Sequence, residues 1–451
     1  MRTVRAELVF IGIIAAVVFM ANLGSGSLNS WDEGFYAGVS REIVKTGDWI
    51  HLRWSGSPWS DKPPLYMWIT AALFKTAGIN EFSVRFFSAL SGIGTVILVY
   101  LLGLRLYGRK EAFAAGLVLL STWHFILIGR QGMLDVPLTF FAALSVYLFV
   151  IRERWPKALF FLPVAIALAF MTKSIAAFFI PIVIILYMAA AKDISVLKDR
   201  KFILGLAVAA ALVLWWHVMV YMKYGQSFID GYFLKHFVTR TREAVDGHSG
   251  GLMTYFNVIS NKGRPWGTAG LVMIPIMIYR VFVKKEKAHL IPLLWAAALL
   301  VLYSPQKTKL HWYIMPVYPA LALMAGWGLA RLSGRYAKIT AVALAAVAIL
   351  YLAGSKHIFA GDYSPQVKNL SRDIREKILP GEKLHLWGIG DPGLQFYLGD
   401  IGDNVNDDNI IKKELNSGKY YILTVINDPL FKNTGARPIM EKNGYTLYSN
   451  Q

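Results

Sequence analysis

The feature that most constrains this chain is a succession of apolar runs, each about as long as a helix needs to cross the roughly 30 Å hydrocarbon layer of a bilayer. They lie near residues 7–23, 86–104, 111–129, 135–151, 158–172, 174–191, 202–221, 266–283, 289–303, 311–330 and 337–354. Of the 451 residues, 55% are hydrophobic and only 17% charged, so a soluble fold of this length is excluded and membrane integration is expected. Lys and Arg outnumber Asp and Glu by 47 to 28, but they come in short clusters between apolar runs. A nucleic-acid partner would need them gathered on one surface, and none is expected. The chain has no cysteine, which removes disulfides, thiolate nucleophiles and Cys-ligated metals. The first run follows a basic tip and lacks a small-residue cleavage site, so it reads as an uncleaved span.

One segment, LYMWITAALFKTAGI at 65–79, is ambiguous, and every later loop changes sides if it spans. Placed instead along the interface, with Pro63 and Pro64 at its first turn, it leaves RLYGRK, RERWPK, KDISVLKDRK, the Arg280 to Lys287 stretch and RLSGRYAK on the cytoplasmic side. All are short and basic, the positive-inside pattern. The expectation is therefore about eleven spans, with the N-terminus cytoplasmic and the C-terminus outside. A first outer loop at 24–85 and a long outer loop at 222–265 face the same side as the C-terminus.

Beyond about residue 356 the pattern changes. Short alternating segments such as EKLHLWGIG and KYYILTVI are bounded by Gly, Asp and Asn, with helix-like stretches QVKNLSRDIREKIL and DDNIIKKELNSG around them. The expected architecture is a polytopic α-helical membrane module at 1–355 followed by a small extracytoplasmic α/β domain at 356–451. No catalytic motif stands in that domain, which reads as a stabilising or acceptor-positioning module.

On the outer side stand cations that the positive-inside bias would not place there: Lys62, Arg85, Arg130, Lys173, Lys235, Arg240, Arg242, Lys307 and Lys309. The plainer reading is that some of them snorkel into headgroups. The sharper reading is that several converge on an anion arriving from the membrane, of which a lipid phosphate is the obvious candidate. Carboxylates share that side: Asp32 and Glu33 in WDEGFYAGVS, Asp61 before Lys62, and Asp135 in GRQGMLDVPLTFF. An N-cap or a salt bridge to Arg130 is the plainer account of Asp135. His311 and Trp312, at the start of a span, read as interfacial anchors.

A sugar carried on a polyprenyl phosphate has a leaving group that Lys and Arg stabilise, so no protonated general acid is required. A hydroxyl acceptor needs one base, and one carboxylate suffices for a single inverting displacement. The alternative is a transporter or flippase of lipid-linked sugars, which would spread its charges through an alternating cavity, often with repeat symmetry. Here they cluster on one side, and no internal repeat is visible.

These motifs resemble the GT-C superfamily of membrane glycosyltransferases, in its aminoarabinose transferase and protein O-mannosyltransferase-like family, over roughly residues 7 to 330. The resemblance rests on WDEGFYAGVSREIVKTGDWI, SDKPPLYMWITAALF, GRQGMLDVPLTFF, HFVTRT and SPQKTKLHWYIMPVYPALAL, in that order. It implies a multi-pass enzyme of a bacterial-type inner membrane that moves a sugar from a polyprenyl-phosphate donor to a lipid, glycan or protein acceptor. In that frame Asp32 is the main catalytic carboxylate, supported by Glu33 and Asp135. Lys62, Lys173, Tyr313 and either Arg240 or Arg242 contact the donor phosphate, with Arg130, Lys307 and Lys309 in the same cationic set. Asp61 and His236 match positions where related enzymes hold a divalent ion (Zn, Mg or Mn), although Asp61 stands where Glu is usual. The chain is shorter after Ala330 than the aminoarabinose transferases, which leaves the acceptor open.

Overall fold

A computed structural model of the chain describes residues 2–232, 243, 249–332, 361–405, 407–416, 420–426, 428–431 and 436–449. The expected last span at 337–354 lies outside the described residues, as do Lys235, His236, Arg240 and Arg242.

Helices α1 (Arg2–Met20), α4 (Glu81–Leu106) and α10 (Arg200–Tyr224) are each long and apolar enough to cross a membrane, and so is the run Ala158–Ala191. That run is made of α8 (Ala158–Lys173) and α9 (Phe179–Ala191) around a short 3-10 turn. It breaks at Ser174, whose φ of 52° no right-handed helix accommodates, at the gap between the apolar stretches 158–172 and 174–191. The expected span at 111–129 has a different form. It is two helices, α5 (Arg109–Leu120) and α6 (Trp123–Gly129), bent by 62°. No Pro or Gly sits at the bend. Ser121 and Thr122 turn their hydroxyls back onto the Leu117 and Val118 carbonyls at 2.6 and 2.8 Å, and Trp266 Nε1 donates to Ser121 Oγ at 2.7 Å. Hydroxyl back-bonding of this kind competes with the helical ladder and bends helices.

The chain divides into two compact units. One comprises Met1–Ala21, Ser60–Tyr66 and Arg85–Phe359 and holds most of the apolar helices. In it α7 (Asp135–Ile151) packs on α8, α8 on α10, and α5 on the helix Tyr318–Leu329. The other comprises Asn22–Trp59, Met67–Val84 and Ala360–Gln451, so two stretches of the first outer loop group with the C-terminal residues.

In that second unit a five-stranded sheet runs in the order β4-β3-β5-β7-β6. The strands are β3 (Leu384–Trp387), β4 (Gly402–Val405), β5 (Tyr421–Val425), β6 (Arg437–Lys442) and β7 (Tyr445–Ser449). Strand β3 is parallel to β4 and β5, linked through the helices Pro392–Leu398 and Asp408–Asn416, while β7 is antiparallel to both β5 and β6. Lys442 pairs with Tyr445 across Asn443-Gly444, whose φ values of 53° and 86° are those a two-residue hairpin requires. Leu384, Leu386, Leu423 and Leu447 of the sheet bury against Leu370 and Ile374 of the helix Pro365–Lys377.

The loop segments join this unit through α2 (Asp32–Thr46), the hairpin of β1 (Arg53–Trp54) and β2 (Ser57–Pro58), and α3 (Leu65–Ala77), which begins directly after Pro63-Pro64. Leu28, Ala37, Phe74 and Val84 form one apolar cluster with Phe396. Lys368 donates to Glu81 at 2.5 Å, Tyr397 Oη to the same carboxylate at 3.1 Å, and the Leu28 N–H to Tyr397 Oη at 2.8 Å. Arg375 grips Asp400, and Lys45 meets Asp403 at 2.8 Å. Burial alone would raise the Asp400 pKa, but the Arg375 hydrogen bond and the Arg375 and Arg41 charges leave it below the ordinary 3.8. The hydrogen bond from Lys45 lowers Asp403 likewise.

Both carboxylates therefore contribute stability that is complete above their unfolded pKa and is lost as the pH falls through the folded values. Hydrogen exchange of β3, β4 and β5 should be flat from about pH 7 to about pH 5, after correction for intrinsic rates, and protection should fall below about pH 4. A loss of protection that begins near neutrality would contradict this assignment.

Candidate active site

Asp32 opens α2 and is partly buried, and Gly34 two residues on explains the rest of the DEG motif. A Cβ at Gly34 would stand 2.7 Å from the Gly393 nitrogen, so only glycine lets the helix Pro392–Leu398 approach this closely. Glu33 is fully buried, and its Oε2 accepts the Asn29 N–H at 2.8 Å, satisfying backbone just before the helix. The two neighbouring acids thus have different surroundings. Glu33 holds the turn, while Asp32 occupies the first helical position.

In the helical unit Asp135 and Lys173 meet. Asp135 begins α7 and is 2% exposed; Lys173 ends α8, its side chain 9% exposed and its Nζ donating to Asp135 Oδ1 at 2.5 Å. The ammonium also lies 4.5 Å from the ring centre of Tyr313, which sits in the 3-10 segment His311–Val317. Arg130, the partner considered for Asp135, donates to the Val18 and Ala21 carbonyls at 2.7 and 2.6 Å. It caps the end of α1, as a buried guanidinium does well. Lys62 is partly buried and donates to the Asp61 carbonyl at 3.0 Å; Lys307 is exposed.

Lys309 has the least ordinary surroundings. It is 7% exposed, and its Nζ donates to the Ser304 carbonyl at 2.5 Å and lies 5.7 Å from the ring centre of Tyr255. Among the described residues no carboxylate pairs with it. Burial, and then the charge of Lys307, lower its pKa. Two hydroxyls on the residues it touches, Tyr255 Oη and Ser304 Oγ, are buried without a partner among the described residues. Burial, followed by Tyr313 and Asp135, raises the Tyr255 pKa, so the phenol remains a donor. A buried cation without a counter-charge and buried hydroxyls without partners are each costly as they stand, and an oxyanion is the kind of ligand that offsets such costs. Tyr255 and Ser304 were not legible as site residues, because neither carries a charge or stands in a distinctive motif.

His311 does more than anchor an interface. Its Nδ1 lies 2.9 Å from Nε2 of the fully buried His124, whose Nδ1 is 2.8 Å from Tyr318 Oη. This chain ties the start of the Tyr313 segment to α6 and to the helix Tyr318–Leu329. Among the described residues no three His, Asp or Glu side chains gather as a metal site. Asp61 is one carboxylate, fewer donors than a divalent ion takes from a dedicated protein site, and His236 lies outside the described residues.

Residues 61–217 match the family model described as dolichyl-phosphate-mannose-protein mannosyltransferase. An uncharacterized protein of Aquifex aeolicus is 30% identical over 338 residues, 74% of this chain and 76% of that one. An undecaprenyl phosphate-alpha-4-amino-4-deoxy-L-arabinose arabinosyl transferase of Pseudomonas fluorescens is 30% identical over 372 residues, 77% of this chain. The match spans 64% of that relative's own length. The crystal structure of ArnT from Cupriavidus metallidurans bound to undecaprenyl phosphate superposes with a TM-score of 0.81 at 20% identity, covering 98% of each chain. The fold is thus that of this ArnT structure, a polytopic helical module with a small sheet domain. The chain belongs to the GT-C superfamily of membrane glycosyltransferases.

Proposed function

We propose that this protein is an inverting glycosyltransferase that takes a sugar from a polyprenyl-phosphate donor and passes it to a lipid, glycan or protein acceptor at the outer face of the membrane. The observation that carries the reading is the buried Lys309 ammonium, which has no carboxylate partner among the described residues and packs against Ser304 and Tyr255, whose hydroxyls are unsatisfied among them. A donor phosphate would complete that set. Lys62, the Lys173–Tyr313 pair, Lys307 and either Arg240 or Arg242 supply further positive charge or hydrogen bonds to it. Arg130 has the weaker claim, since two of its N–H groups already hold backbone carbonyls.

In the reaction the bond between the sugar's anomeric carbon and the phosphate oxygen breaks, and its electron pair leaves with the polyprenyl phosphate. The cations stabilise that charge as it develops. An acceptor oxygen attacks from the opposite side, and Asp32 takes its proton where the acceptor is a hydroxyl. The outward orientation rests on the charge asymmetry of the loops. No step is routed through a metal.

Lys309→Met tests the reading. Methionine leaves no unpaired charge, so without ligand the variant should melt at the wild-type temperature or above it. Its affinity for a polyprenyl-phosphate sugar should fall by about 10-fold to 100-fold, the worth of one charge-assisted hydrogen bond. Unchanged donor affinity would reject the phosphate contact.

A further inference from the structure

We propose that a second polar pocket, lying wholly in the unit that contains α2 and the sheet, binds a saccharide unit of the acceptor. This inference rests on the transferase reading above and adds to it a place for the acceptor. The pocket lies among the C-terminal half of α2, the β1–β2 hairpin, the helix Pro392–Leu398 and β4, and its volume is about 250 Å³. That is small beside the roughly 300–1,000 Å³ of sites for drug-sized ligands, and suits one small polar ring rather than a lipid chain.

Its lining is mixed in a way that fits a polyol. Lys45 is neutralised by Asp403 at 2.8 Å. Arg41 donates to the Phe396 carbonyl at 2.5 Å and stands 3.6 Å from Asp400. The cations are therefore occupied, which disfavours a phosphate ligand. Three other lining side chains keep free hydrogen-bonding capacity among the described residues: the Glu42 carboxylate, the Asn404 amide and the Trp54 indole N–H. An acceptor, a group that both donates and accepts, and an aromatic ring with a donor at its edge are what a ring bearing several hydroxyls can use. Ser55 and Gly56, at the tip of the hairpin that carries Trp54, have φ values of 52° and 75°. Ser55 holds this left-handed conformation while its hydroxyl donates to Gln395 Oε1 at 2.6 Å, which fixes one wall of the pocket against the other.

The position matters as much as the lining. Gly38 and Glu42 stand six and ten residues after Asp32 on one helix, roughly 9 and 15 Å along its axis at 1.5 Å per residue. A sugar ring seated in the pocket would leave the next part of a glycan or glycolipid within reach of Asp32. The acceptor class this assigns is a saccharide-bearing molecule.

The test uses the full chain in lipid nanodiscs, which avoids sugar-headed detergents. The probes are the methyl glycosides of glucose, mannose and glucosamine, with saturation-transfer NMR as the readout. Ring protons of at least one glycoside should receive saturation from the wild type. The signal should drop about fivefold or more in Trp54→Ala, the loss of one ring contact of about 1 kcal/mol. Gly38→Leu should do the same by filling the pocket, since a Cβ there meets only Trp54, at 3.4 Å or beyond. Both variants should keep wild-type affinity for the polyprenyl-phosphate donor, which shows that they are folded. No saturation from any glycoside, or equal saturation in both variants, would overturn the proposal. Displacement of the glycoside by millimolar inorganic phosphate would overturn it in favour of an anion site. Asp32→Asn should keep the glycoside signal while losing transfer, so the pocket and the transferase reading fail separately.

Discussion

Asp32→Asn is expected to lower the rate of sugar transfer to a hydroxyl acceptor by about 10²-fold to 10⁴-fold, the range in which a positioned general base contributes. Asparagine keeps the size of the side chain at the first position of α2 and removes only the proton acceptor. Donor affinity should stay within about twofold, because the residues proposed to hold the phosphate are others. Glu33→Gln should behave differently. Its carboxylate is fully buried and accepts the Asn29 N–H, so this variant should lose stability more than rate. Steady-state kinetics on both variants, with melting temperatures measured in parallel, check the division. Equal rate losses at equal stability would mean that the two acids act together.

The second large effect is expected at the buried ion pair of Asp135 and Lys173. Lys173→Met leaves the carboxylate, 2% exposed, without its ammonium and should destabilise the helical unit by about 3–5 kcal/mol. Adding Asp135→Asn should recover most of that loss, since neutralising both partners removes the uncompensated charge. If Lys173 also contacts the donor phosphate, the double variant will be stable yet still bind donor more weakly. Recovery of both stability and donor affinity would make the pair purely structural.

Much of this was legible in the chain. The apolar runs declared a polytopic helical protein, and the strands β3 and β5 and the helices Pro365–Lys377 and Asp408–Asn416 lie where alternation and turn residues indicated. Local pattern was enough because each is a local object. The bend at Ser121–Thr122 was not legible, since two hydroxyls inside an apolar run look no different from tolerated polar residues until their back-bonding is seen. The grouping of the first loop with the sheet was hidden for another reason. It depends on pairs such as Glu81 with Lys368 and Leu28 with Tyr397, separated by hundreds of residues, and a single sequence carries no signal for them.

The same distinction runs through the site. The cations Lys62, Lys173 and Lys309 could be singled out by asking which charges lacked a topological reason, and the carboxylates Asp32 and Asp135 by their place on the same side. Tyr255, Ser304 and Trp54 could not, because a tyrosine, a serine or a tryptophan in a membrane protein has many ordinary uses. What distinguishes them is an unsatisfied hydroxyl beside a buried cation, or an indole N–H open to a pocket, and those are properties of packing.

The central claim is that the chain breaks the sugar–phosphate bond of its donor and forms a new glycosidic bond to an acceptor, rather than carrying lipid-linked sugars across the bilayer. It is tested most directly by giving the purified protein, in nanodiscs, a polyprenyl-phosphate donor with a labelled sugar and a set of lipid, glycan and peptide acceptors. The account predicts one free polyprenyl phosphate released for each sugar transferred, with the anomeric configuration inverted in the product. Reconstituted protein that moves intact donor between leaflets, with no bond broken and no labelled product, would contradict it.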